Sequence, residues 1–108
     1  MEKFSLQENE KIIGRVDMHY LQENINGSFY VTNQRVCFKG NVTDYLYMEL
    51  SVSETAGYDT GRFMLAHYVR LHDIYDRYKG HKHLYKFTGL SVKKLCRYLE
   101  QAGINRIQ

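Results

Sequence analysis

The chain predicts a mainly β fold, about seven antiparallel strands in a partly open barrel capped by one C-terminal α-helix. Three observations carry this. Residues 27–40 read as two short strands folded back around Asn33-Gln34, with Phe29 and Val31 alternating on one and Val36 and Phe38 on the other. Strand-like alternation recurs from residue 12 to residue 88, punctuated by Gly and Asn. Val92, Leu95, Cys96, Leu99 and Ala102 then repeat at helical spacing before Gly103.

The opposed pairs of the hairpin, Val31 with Val36 and Phe29 with Phe38, share one face, because directly opposed residues of an antiparallel pair point the same way. Gln34 does not suit the positive φ of a type I′ turn, and a four-residue loop over Thr32 to Arg35 keeps the pairing without it. Before this hairpin, residues 5–10 read as a polar lead-in with one helical turn. From Ile12 the chain alternates, with Ile12, Gly14, Val16, Met18 and Tyr20 on one face and Arg15, Asp17 and His19 on the other. Asn26-Gly27 is the strongest hairpin dipeptide in the chain, with residues 21–25 as the lengthened-loop alternative.

After Gly40-Asn41, residues 45–52 alternate most cleanly, with Leu46, Met48, Leu50 and Val52 inward and Tyr45, Tyr47, Glu49 and Ser51 outward. Gly57 and Gly61 bracket a turn region, with a short strand at 55–58. Residues 63–75 read as one strand covered on both sides or broken by a bulge. Residues 75–82 form a polar loop containing Gly80, and 83–88 the last strand. Ser91 is the N-cap of the closing helix, whose solvent side carries Lys93, Lys94, Arg97, Glu100 and Gln101. Gly103 stops it, and it needs the sheet to lie on, because so short a helix is marginal alone.

Length and composition bound the rest. With 108 residues the chain supports one core, a single domain over 1–108. An apolar share of 44% with 25% charged residues argues against disorder. No apolar run reaches the ~20 residues that span a bilayer. Residues 1–5 lack the apolar stretch of a secretory signal, so a cytoplasmic location is expected, with peripheral association at the inner membrane face as its extension. Cys37 and Cys96 have no paired spacing, which argues against a disulfide framework or zinc knuckle. A net charge of +3 permits attraction to acidic surfaces but lacks the dense basic stripe of a nucleic-acid binder. Tyrosine is the outlier, 10 copies beside no Trp and no Pro, which suits half-buried sheet faces and contact surfaces.

Glu10-Lys11-Ile12-Ile13, followed by residues 27–38 (Gly-Ser-Phe-Tyr-Val-Thr-Asn-Gln-Arg-Val-Cys-Phe), resembles the opening of a GRAM domain, a member of the pleckstrin-homology (PH-like) superfold. Glu49-Leu50, then Glu54, and the closing amphipathic helix sit where that family would place its later strands and helix. The resemblance implies lipid or protein binding and no catalysis, and it carries no invariant functional residue onto this chain.

Two surfaces are candidate sites. The basic loop holds Arg77, Lys79, His81 and Lys82, with Lys86 just beyond; cations interleaved with aromatics there could meet a phosphorylated headgroup or an acidic membrane. Its other reading is a solvated hairpin tip. In the resembled superfold, headgroup sites usually involve the first strand pair's loop, and residues 22–27 carry Glu23 and no cation. The outward tyrosines Tyr30, Tyr45, Tyr47 and Tyr68 could form an aromatic patch for a peptide or another subunit. Alternatively they cover the second face of the bent sheet or lie under the N-terminal lead-in. A sheet of this kind also leaves an edge strand able to accept a partner strand.

The remaining constellations are weaker. His81 and His83, two apart, would share a strand face, but no carboxylate or cysteine sits at supporting spacing for a metal. Cys37, between Arg35 and Lys39, would have a lowered pKa if exposed, whereas Cys96 lies on the helix's apolar stripe. No base or oxyanion donor accompanies either, so no catalytic residue and no cofactor are assigned. The reading is a small non-catalytic binding module. Protein interaction or self-association through the tyrosine face or an edge strand leads, with weak binding of anionic lipid through residues 77–86 as the alternative.

Overall fold

The structure, a computed structural model, describes residues 3–77 and 79–107, and of Phe63 the backbone alone. Tyr78, within the basic loop, lies outside the described residues. Seven antiparallel strands form one open sheet: β1 (Ile12–Tyr20), β2 (Ile25–Thr32), β3 (Arg35–Gly40), β4 (Leu46–Ser51), β5 (Thr55–Phe63), β6 (Ala66–Asp73) and β7 (Lys86–Thr88). A single helix, α1 (Val92–Gln101), closes the chain. The strand order is β4-β3-β2-β1-β7-β6-β5, so the mainly β class with a C-terminal helix holds.

The central hairpin is as predicted. Phe29 pairs with Phe38 and Val31 with Val36, and Thr32 Oγ1 accepts from the backbone N–H groups of Gln34 and Arg35, closing the four-residue loop. All four apolar side chains are fully buried. Around Phe87 gather Tyr20 (ring centroids 4.5 Å, stacked), Phe29 (4.8 Å, edge-on) and Phe38 (5.2 Å). Every strand contributes to this core, and α1 seals it with Leu95, Cys96 and Leu99.

The helix ends in a Schellman motif: Ile104 N–H donates to the Leu99 carbonyl at 2.9 Å and Gly103 N–H to the Glu100 carbonyl at 3.0 Å. Gly103 takes φ +88, the left-handed conformation this motif requires. Ser91 occupies the N-cap position, but its side chain makes no capping bond.

Several boundaries depart from expectation. Asn26-Gly27 is not the first turn; Tyr20 pairs with Ile25, and Asn26 and Gly27 pair with His19 and Met18 inside β2. The lengthened loop is the turn, and Asn24 supplies its positive φ of 54. Gly27 is needed for space instead: a Cβ there would lie 2.1 Å from the Lys39 carbonyl oxygen. Residues 63–75 are not one strand. A two-residue turn at Met64-Leu65 joins β5 to β6, with Phe63 opposite Ala66. Gly57 and Gly61 therefore lie within β5, where the Ile107 side chain and the Tyr68 ring pack against their bare Cα atoms. The last strand begins at Lys86 rather than residue 83, with Tyr85 at φ 60 in the turn before it. The lead-in forms no helix; Lys3 bridges Tyr45 instead.

Two bulges explain the face errors. Phe38 pairs with Met48 but Lys39 with Leu46, so Tyr47 is the extra residue and packs on the core while Leu46 leaves it. Likewise Thr32 pairs with Ile12 and Val31 with Gly14, which turns Ile13 toward the core and leaves Ile12 exposed.

Candidate functional site

The basic loop is fastened down. Arg77 Nε lies 2.8 Å from the buried Asp73 carboxylate, which also accepts the Arg77 backbone N–H at 2.9 Å and the Tyr85 hydroxyl at 3.3 Å. Lys79 pairs with Asp76 at 3.4 Å. Lys86 is buried on β7, its ammonium 4.6 Å from the Tyr68 ring centre. Burial, then the nearby Arg70, pushes the Lys86 pKa down. His83 is half-buried, and burial with Lys86 and Lys82 lowers its pKa, so it is neutral at neutral pH. His81 and Lys82 are exposed and form no ion pair among the described residues. The two histidines sit in turns rather than on a strand, and the described residues contain no group of three metal-ligating side chains.

The four tyrosines do not come together. Tyr30 stacks under Phe4 of the N-terminal segment, ring centres 4.3 Å apart. Tyr45 bridges Lys3 in the same segment, Tyr47 packs inward beside Gly40, and Tyr68 lies on β6, three strands from β2, against Gly61. Cys37 is fully buried, and burial pushes its thiol up to about 12 despite the opposing effect of Arg35. Cys96 is buried and shifted upward for the same reason.

The feature best shaped for binding lies elsewhere. A cleft of about 1230 Å³ opens between α1, the β5–β6 hairpin and the β1–β2 pair. Its α1 wall carries Lys93, Lys94 and Arg97, because the helix turns its apolar stripe to the core and leaves these on the open side. Arg106 crosses one end, donating to Thr60 Oγ1 at 2.9 Å over the Tyr58 ring. The two carboxylates that line the cleft are both engaged: Asp17 pairs with Arg15 at 3.1 Å, and Glu100 accepts the Tyr58 hydroxyl. Lys93, Lys94 and Arg97 form no ion pair among the described residues, so the cleft is positive.

Its rim is apolar. Leu65 and Leu90 both line the cleft and are 96% and 107% exposed, and Met64, beside Leu65 in the hairpin turn, is 85% exposed. Val42 follows the cleft-lining Asn41 and is 97% exposed. Large apolar side chains at loop tips beside unpaired cations are a costly way to face water. Sequence reading missed this site because it placed Met64 and Leu65 in a strand and treated the helix cations as a solvated face. The available signal was that both parities of residues 63–75 are apolar, Leu65 falling with Phe63, Val69 and Leu71 and Met64 with Ala66, Tyr68 and Ile74, which a hairpin with an apolar tip also explains.

Among the described residues no helix is long and apolar enough to cross a membrane. In comparison with known families, the GRAM domain model matches residues 1–90, which takes in the whole sheet and stops short of α1. No curated protein matches the chain.

Proposed function

This chain belongs to the GRAM domain family, binding-type domains that engage membranes or proteins, and on that premise we propose that it is a peripheral module for anionic membrane surfaces. The observation that carries the reading is the cleft rim: Met64, Leu65 and Leu90 stand exposed beside Lys93, Lys94 and Arg97. In water the apolar tips are a liability; at a bilayer each can bury in the headgroup boundary, a gain of about 1.5–3 kcal/mol per fully buried side chain. Each cation near an acidic leaflet adds about 1 kcal/mol, falling off within a Debye length of about 10 Å. Neither contribution anchors alone; together they give reversible, salt-sensitive recruitment.

This reading moves the lipid contact away from residues 77–86, where Asp73 and Asp76 already offset Arg77 and Lys79. It also ranks above the tyrosine patch, whose members are dispersed over the sheet and under the N-terminal segment. The role is binding, with no catalytic step assigned.

Co-sedimentation with vesicles of phosphatidylserine and phosphatidylcholine tests it. Binding to the acidic vesicles, weakened by salt and lost in both Met64→Ser/Leu65→Ser and Lys93→Glu/Lys94→Glu, is the expected result. Absence of binding, or binding that neither double variant changes, refutes the proposal.

A further inference from the structure

Both edges of the open sheet are partly covered by the chain's own end segments. At the β4 edge Lys3 bridges Tyr45, and Phe4 N–H donates to the Asp44 carbonyl at 2.7 Å. At the β5 edge Arg106 runs parallel to Tyr58: Tyr58 N–H donates to the Asn105 carbonyl at 3.1 Å, and Ile107 N–H to the Tyr58 carbonyl at 2.7 Å. The second contact shows which way β5 faces. Tyr58 turns its backbone groups away from β6, and in an antiparallel pair every second residue does the same. Thr60 and Arg62 therefore also point N–H and C=O outward, and no described backbone group meets them. Thr60 itself lines the cleft.

We propose that this stretch of β5 is a second binding site, one that takes an extended peptide as an added strand, with carboxylates at alternate positions. The lane already accepts a strand at Tyr58, so its geometry suits strand addition. A strand lying about 4.8 Å from β5 projects alternate side chains toward the core side, here the cleft, and toward the outer face. The cleft side meets Arg106 from one wall and Lys93, Lys94 and Arg97 from the other, which outnumber Glu100, while Asp17 is paired with Arg15. Charge complementarity therefore selects acidic side chains for every second position. Outer-face positions meet Gly61 with the half-buried Tyr68 ring packed over it, a surface that suits aliphatic side chains. The observation is independent of the apolar rim that supports the membrane reading.

Fluorescence anisotropy of the full chain with a labelled peptide of alternating Glu and Val tests the proposal. The peptide is expected to bind, and its Lys-for-Glu counterpart to bind about tenfold more weakly or worse. Methylating the peptide's backbone nitrogens should also weaken binding about tenfold, because added-strand affinity comes from main-chain hydrogen bonds. Thr60→Pro removes the outward N–H without touching the β6 ladder and should have a similar effect, whereas Thr60→Val, which keeps the N–H, should not. If Thr60→Pro fails to fold, the methylated peptide still gives the answer on the unaltered protein. No binding of the acidic peptide, or binding indifferent to backbone methylation, overturns the site. Met64→Ser/Leu65→Ser separates the two readings: it is expected to abolish vesicle binding and to leave peptide binding within about twofold.

Discussion

Arg35 and Glu10 meet in a forked ion pair inside the protein, Nε to Oε2 at 2.8 Å and Nη2 to Oε1 at 2.9 Å, with side chains 6% and 0% exposed. The pair ties the N-terminal segment to the β2–β3 hairpin. Arg35 also donates to the Ser5 carbonyl and to Glu49, Phe4 lies beneath its guanidinium, and Thr32 donates to Glu10 at 2.6 Å. Removing one partner leaves the other charge buried, so Glu10→Ala is predicted to cost about 3–5 kcal/mol in chemical denaturation. Tyr30, under Phe4, should become more accessible in the same variant.

The same pair sets an acid sensitivity. Burial alone would raise the Glu10 pKa, but hydrogen bonds from Arg35, Thr32 and Gln7 override it and hold the carboxyl at about 2, below its usual 4.5. A carboxylate depressed in the folded state stabilises fully above its unfolded pKa and loses that contribution as pH falls through the folded value. Asp73, held low by Arg77 against the opposing effect of burial, adds in the same direction. Stability is therefore predicted to fall as pH drops from about 4.5 toward about 2, a loss that thermal melts should show shrinking in Glu10→Gln.

Gly27→Ala is predicted to be destabilising by about 1–3 kcal/mol, because its methyl would meet the Lys39 carbonyl oxygen and the Phe38 ring. A glycine in a solvent-exposed turn would not carry that steric cost. Urea denaturation of Gly27→Ala measures the difference.

Cys37 and Cys96 are predicted to resist alkylation in the folded protein, since both are buried and both thiols titrate above their usual range. Mass spectrometry after iodoacetamide treatment should find them modified only when denaturant is present.

What the sequence disclosed follows the strength of local pattern. The β2–β3 hairpin was legible because Phe29, Val31, Val36 and Phe38 repeat with period two across a short polar turn. The helix was legible to its last residue because Gly103 has one conformational role there. Positions governed by tertiary packing were not. A bulge at Tyr47 exchanges the roles of Tyr47 and Leu46, and nothing in alternation announces it. Gly57 and Gly61 look like turn residues but are strand residues packed against Ile107 and Tyr68. The β5–β6 turn uses Met64 at φ 57, without the glycine or asparagine that usually marks such a reversal. Because that turn was hidden, so was the apolar rim it places beside the helix cations.

The basic loop supplies a control. Lys79→Ala/Lys82→Ala is predicted to leave vesicle affinity within about twofold, because Lys79 is already paired with Asp76 and the cleft cations are untouched. Co-sedimentation of this variant beside Lys93→Glu/Lys94→Glu makes the comparison.

The most direct measurement places a reporter on the rim. Leu65→Cys, labelled with an environment-sensitive fluorophore, can be modified selectively because Cys37 and Cys96 are buried. Adding acidic vesicles should shift its emission to the blue, as expected for entry into the headgroup boundary, while the same label at Lys82→Cys should not shift. A shift at residue 82 with none at residue 65 would contradict the cleft rim as the membrane-facing surface.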